Sequence, residues 1–175
     1  MIEVLRLGHR INRDTRITTH VCLVSRAFGA KKITLSGERD DDVLASVGKL
    51  VSNWGGSFGI GYEENWLEKI EEFKKKKGIV VHLTMYGEPV QKQITKIRKM
   101  KKNIMVVVGA GKVPTIVYQL SDFNIAVTNQ PHSEVAALAI FLHEFFEGKE
   151  LDKTFKGKLM IVPKKMGKCV VSSEK

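Results

Sequence analysis

Five consecutive apolar residues, Ile104-Met105-Val106-Val107-Val108, leave this chain little freedom in how it can fold. Side chains along a strand alternate between the two sides of a sheet, so a run without a polar member has no side to turn to water. It belongs inside a sheet that is covered on both faces, the situation of parallel sheets in α/β proteins. Weaker strand signals stand at Ile2 to Leu7, Ile33 to Leu35, near Tyr62, at Ile79 to Met85 and at Phe123 to Val127. Helical spacing separates them. Val21, Val24 and Phe28 follow Thr18 and stop at Gly29, and Val43, Leu44, Val47, Leu50 and Val51 form a second stripe. Glu64 to Lys77, Val90 to Met100 and Glu134 to Phe146 supply three more helices. Strand then helix, repeated, predicts an α/β fold with a mostly parallel sheet and helices on both faces.

In such sheets ligands bind beyond the carboxyl ends of the strands, which directs attention to two loops. Gly109-Ala110-Gly111-Lys112-Val113-Pro114 follows the apolar strand and approaches two nucleotide motifs without satisfying either. The third glycine of G-x-G-x-x-G falls on Pro114, and the Ser or Thr that follows a P-loop lysine is replaced by Val113. What remains is a turn that a ligand can approach without meeting a Cβ. Thr128-Asn129-Gln130-Pro131-His132-Ser133 is the second loop, and it places Glu134 near the positive end of the last helix.

Twenty-nine Lys and Arg against nineteen Asp and Glu give a net charge of +10, which points to a polyanionic partner, nucleic acid first. Cys22 and Cys169 have neither metal-ligand spacing nor the look of a disulfide framework, and no metal site is expected. No run of about 18 apolar residues is present, so a soluble, cytoplasmic protein with no membrane contact is expected. Residues 1–175 read as one domain with a short basic C-terminal extension, in which Leu159 to Val162 is a candidate strand.

Gly8 to His20 is dense in donors, with Arg10, Arg13 and Arg16 at every third position, a row that shares roughly one face if the segment is helical. Guanidinium forks match phosphate oxygens. Asp40, Asp41 and Asp42 precede a helical stripe and are read as capping and dipole residues, not as a metal cluster.

The two glycine- and proline-marked loops resemble the second and third motifs of the SPOUT methyltransferases. The blocks Leu5 to Arg10, Arg13 to Val21, Val107 to Pro114 and Val127 to Ala137 extend that likeness over the chain, which resembles the archaeal tRNA cytidine-56 2′-O-methyltransferase family. The resemblance implies a trefoil-knotted homodimer that binds S-adenosyl-L-methionine and methylates a ribose in tRNA. It implies a cofactor site at Leu83, Gly109, Ala110, Gly111, Lys112, Val113, Val127, Thr128, Asn129, Gln130, Pro131, His132, Ser133 and Glu134. Many SPOUT ribose methyltransferases carry a first-motif arginine where this chain has Leu23, so Arg16 or Arg13 is expected to take its place, with His20 or water accepting the proton. Two other classes fit parts of the pattern: a nicotinamide-dependent oxidoreductase, which lacks its third glycine here, and a non-catalytic RNA-binding protein.

Overall fold

The computed structural model describes residues 1–173. The elements are β1 (Ile2–His9), α1 (Ile11–Ala27), β2 (Lys32–Gly37), α2 (Asp41–Trp54), β3 (Gly59–Tyr62), α3 (Trp66–Lys75), β4 (Ile79–Pro89) and α4 (Val90–Lys99). They continue with β5 (Ile104–Gly109), α5 (Thr115–Leu120), β6 (Phe123–Ala126), α6 (Glu134–Phe146), a 3-10 turn (Lys149–Asp152), β7 (Leu159–Ile161) and β8 (Val170–Ser172). Six strands form one sheet in the order β3-β2-β1-β5-β4-β6, every pair parallel. β5 sits centrally, as its unbroken apolar run requires.

Alternation along the strands sorts the helices onto two sides. Val4, Val106, Val108 and Val81 point toward α1, α2, α4 and α6, where Val21, Val47, Ile94 and Phe141 meet them. Leu5, Leu7, Met105, Val107 and Val80 point the other way, onto Ile70 and Phe73 of α3 and Val117 of α5. The crossovers β3 to β4 and β5 to β6 run opposite to the others along the sheet and carry the helices of the second face, as a single crossover handedness demands.

Two differences from the expected elements bear on the site. α1 begins at Ile11, not near Thr18, with Arg10 as its extended N-cap, so the donor-rich segment is helical. β4 runs on through Tyr86-Gly87-Glu88-Pro89, and its pairing with β6 shifts so that Ile125 faces Leu83 and then Glu88. The intervening residues loop away and are stapled by the Asn129 side-chain amide, which donates to Met85 O at 2.7 Å and Gly87 O at 3.1 Å. A Cβ at Gly87 would come within 2.5 Å of the Asn124 backbone, so only glycine lets these two strands cross this closely.

α6 carries more apolar residues than one stripe needs. The chain itself buries most of them: Phe141 is fully enclosed, and Phe145 and Phe146 pack against the same core. Ile140, 45% exposed, is what remains outside. The C-terminal extension is tied to the sheet domain by Arg26, which donates to Trp54 O and Gly55 O and stacks over Phe155 at 4.5 Å. The expected strand at Leu159 exists, and its antiparallel mate at Val170 was not foreseen.

Candidate active site

Two cavities open side by side at the carboxyl end of the sheet. One, of about 500 Å³, lies between the end of β4, the loop after β5, and the start of α6; His82 to Tyr86, Gly109, Lys112, Tyr118, His132 and Glu134 line it. The other, of about 590 Å³, is bounded by Leu7 to Arg10, Ser36 to Glu38, Glu64, Trp66 and Ala110 to Pro114. Gly111, Lys112 and Val113 belong to both, so one loop is the wall between them.

Of the residues expected to hold a cofactor, Leu83, Gly109, Gly111, Lys112, Val113, His132 and Glu134 line the first cavity, and Ala110 lines the second. Val127, Thr128, Asn129, Gln130, Pro131 and Ser133 line neither. Val127 packs on the core, Asn129 staples the β4 loop, and Ser133 caps α6 by accepting from Ala136 N at 3.2 Å. Gln130 orders the loop by accepting at its carbonyl from His132 Nδ1, 2.6 Å away.

A polar cluster missed in the sequence forms the floor of the first cavity. His82 Nδ1 donates to Asn124 Oδ1 at 2.9 Å, Tyr118 stands edge-on at 4.6 Å, and the Tyr118 and Thr84 hydroxyls are 3.1 Å apart. Burial pushes the His82 pKa below its ordinary value, so the ring is neutral near pH 7. Sitting in the apolar run of β4, His82 has no local signal that separates it from a core histidine.

Behind both cavities runs a second network, and it starts from Arg6, fully buried on the α1 side of β1. Arg6 Nη2 donates to Glu134 Oε1 at 2.8 Å, joining the first strand to the last helix. Gly8, at φ +74, bulges β1 and brings His9 inward. His9 Nε2 donates to Asp40 Oδ2 at 3.1 Å, which leaves Nδ1 to accept from the Thr18 hydroxyl at 2.6 Å. Asp40 also accepts from Thr15 Oγ1 and from Val43 N, so the expected helix cap is present and does more than cap. Burial raises the Asp40 pKa, and the Val43 amide, His9 and Thr15 outweigh it, leaving the carboxyl below its ordinary value. At Glu134 burial wins over Arg6 and its pKa rises. Arg6 Nε and Glu134 Oε2 are buried with no hydrogen-bond partner among the described residues.

Arg13, Arg16 and His20 share the outer face of α1, exposed to solvent, and line neither cavity. Arg10 does line the second, held by its Nε donating to the buried Asp14 at 3.1 Å.

Residues 54–171 match the family described as tRNA ribose 2′-O-methyltransferase, aTrm56. The chain belongs to that family. Relatives called tRNA (cytidine(56)-2′-O)-methyltransferase include the protein of Methanocaldococcus jannaschii, 55% identical over 98% of this chain and 96% of that one. The relative from Methanosphaera stadtmanae is 50% identical over 99% of this chain and all of its own length. Among solved structures, the SpoU methyltransferase AviRb of Streptomyces viridochromogenes, in complex with AdoMet, has a TM-score of 0.63 at 12% identity, covering 85% of this chain. This chain spans 57% of that longer protein. The TrmH/SpoU tRNA modifying enzyme of A. aeolicus gives 0.58 at 15% identity, covering 86% of this chain and 76% of its own. The aTrm56 family thus shares its α/β fold with the SpoU and TrmH methyltransferases.

Proposed function

We propose that this chain transfers a methyl group from S-adenosylmethionine to the 2′-hydroxyl of cytidine 56 in tRNA. The observation that carries this reading is the pair of cavities divided only by Gly111 to Val113, one suited to a cofactor and one open to a substrate. The relatives' names supply the nucleotide. The first cavity fits the cofactor in size, since small-molecule sites run to roughly 300–1,000 Å³. It also fits in charge: Glu134, whose side chain is 12% exposed, brings a carboxylate to the wall of a space that a cationic ligand would occupy. Gly111 faces open space, with nothing within 4 Å of a built Cβ.

When bound, S-adenosylmethionine supplies an electrophilic methyl on a positively charged sulfonium. Leu83 and Ala137 would give an apolar flank for the purine, while backbone groups of Gly109 to Val113 and of His132 would read its edge. The ribose hydroxyl is a poor nucleophile, so alignment and removal of its proton govern the rate. Arg16 anchors the adjoining phosphate and stabilises charge on the oxygen, beside Arg13, and His20 or water takes the proton. None of those three side chains lines this chain's own cavities, so they would reach the chemistry from a second copy whose α1 lies across the site. A homodimer supported by the family resemblance supplies that copy; its trefoil knot and its place of work in the cytoplasm rest on the same resemblance.

Titration calorimetry separates this reading from its rivals: S-adenosylmethionine and its demethylated product bind, and NAD does not. Gly109→Val should weaken cofactor binding at least tenfold while leaving thermal unfolding cooperative. A Cβ there would lie 2.3 Å from Val113 Cγ1 and 3.2 Å from Gly111 O, which forces the shared loop to move. Equal affinity in wild type and folded variant would remove the cofactor from this cavity.

A further inference from the structure

The second cavity contains a carboxylate that nothing described so far employs. Glu64 stands on its wall in the connection from β3 to α3, two residues before Trp66, which opens α3. Its neighbour across the cavity is committed, for Glu38 accepts from Ile11 N at 2.7 Å and so holds the start of α1. Glu64 is exposed, and among the described residues its side chain has neither hydrogen bond nor ion pair. In a chain with ten excess positive charges, a free carboxylate beside the shared loop repels a polyanion's phosphates. It is therefore suited to a part of the nucleotide that donates. Trp66 is half-buried and packs against the core cluster that contains Leu5, Leu7 and Ile70, so the core restrains it while it still lines the cavity.

A fixed aromatic ring beside a free acceptor is the composition of a pocket for a base taken out of its stack. The acceptor also discriminates. Cytosine presents an amino group at N4 where uracil presents the O4 oxygen, and a carboxylate pairs with the first and repels the second. We propose that this cavity receives the target cytosine, with Trp66 stacking on the ring and Glu64 accepting from the N4 amino group, so that Glu64 determines the choice of cytidine. The inference rests on the ribose methylation argued above and adds the residue that selects the base. Arg10, which lines the same cavity and is held by Asp14, would meet the phosphate side of the nucleotide.

The test uses two full-length tRNA transcripts that differ only in carrying C or U at position 56, with the intact enzyme and Glu64→Gln. Wild type should prefer the C transcript by about a hundredfold in kcat/KM, the upper part of the range for one good base contact. Glutamine still accepts through its carbonyl but can also donate to O4, so E64Q should narrow the preference at least tenfold, partly by gaining activity on U. Any effect of U on the RNA's own fold is common to both enzymes and cancels in the ratio. Binding of the demethylated cofactor should match wild type, showing that the first cavity is intact. If E64Q slows both transcripts equally, Glu64 is structural and the inference falls, while the methyltransferase reading stands. A wild type that methylates neither transcript overturns both.

Discussion

Replacing Arg6 by methionine should lower the stability of this protein by roughly 3–5 kcal/mol, the usual consequence of removing one member of a buried ion pair. Arg6 has no access to solvent and Glu134 only 12%, so removing Arg6 leaves a largely buried carboxylate without its counter-charge. The guanidinium also reaches His9 Nδ1 at 3.5 Å, at the edge of the network that holds Asp40 and Thr18. For a chain of this size that loss is a fall in Tm of about 10 °C. Arg6→Met combined with Glu134→Leu should recover much of it, because both charges are then gone. Thermal unfolding of the three proteins checks this; a single variant within about 1 kcal/mol of wild type would mean that the pair does not lock the last helix to the first strand.

Arg16→Ala should reduce single-turnover methylation by roughly a hundredfold while tRNA and cofactor affinities stay within a few-fold. The +10 excess spreads phosphate attraction over many exposed lysines and arginines, so the loss of one contact should change affinity little. A group that stabilises charge only as the oxygen attacks is lost from turnover alone. Because Arg16 does not line its own cavities, its effect should be complemented between subunits. If the proposed dimer forms, Arg16→Ala chains mixed with Gly109→Val chains should give some heterodimers with one intact site, the arginine coming from one copy and the cofactor loop from the other. Recovery of activity on mixing is the expected result. No recovery would show that Arg16 does not act across a dimer, and turnover within threefold of wild type in Arg16→Ala would pass the role to Arg10, which does line the second cavity.

What could be read from the sequence follows from how local each signal is. The run at Ile104 needed no partner to be recognised, because five apolar residues in a row already require cover on both faces. Asp40 was legible as a cap from its place before a helical stripe, but its bonds to His9 and Thr15 join segments that sequence spacing cannot bring together. Arg6 is the sharpest case. In an alternating strand a charged residue reads as solvent-facing, yet a sheet covered on both sides has no such face, and the partner it needs is Glu134, 128 residues away. A buried-strand assignment for β1 was itself the missing clue, since an enclosed guanidinium must be paired. His82, Tyr118 and Glu64 left no pattern at all; they became visible once the topology set the end of β4, α5 and the β3 to α3 connection around two adjoining spaces. The α1 start was not legible because its first turns, rich in Thr, Asn and Asp, have weak helix propensity and no apolar stripe, and the burial of Asp14 and Thr18 that accompanies the helix there is a tertiary feature.

The most direct measurement of the central claim is to map the methyl group. The protein is incubated with tRNA transcript and S-adenosylmethionine labelled in the methyl, and the RNA is then cut by mild alkali, which needs a free 2′-hydroxyl at each cleaved position. The account predicts one gap in the alkaline ladder, at position 56, coincident with the label. Label on a base, a gap at another nucleotide, or no transfer at all would contradict it.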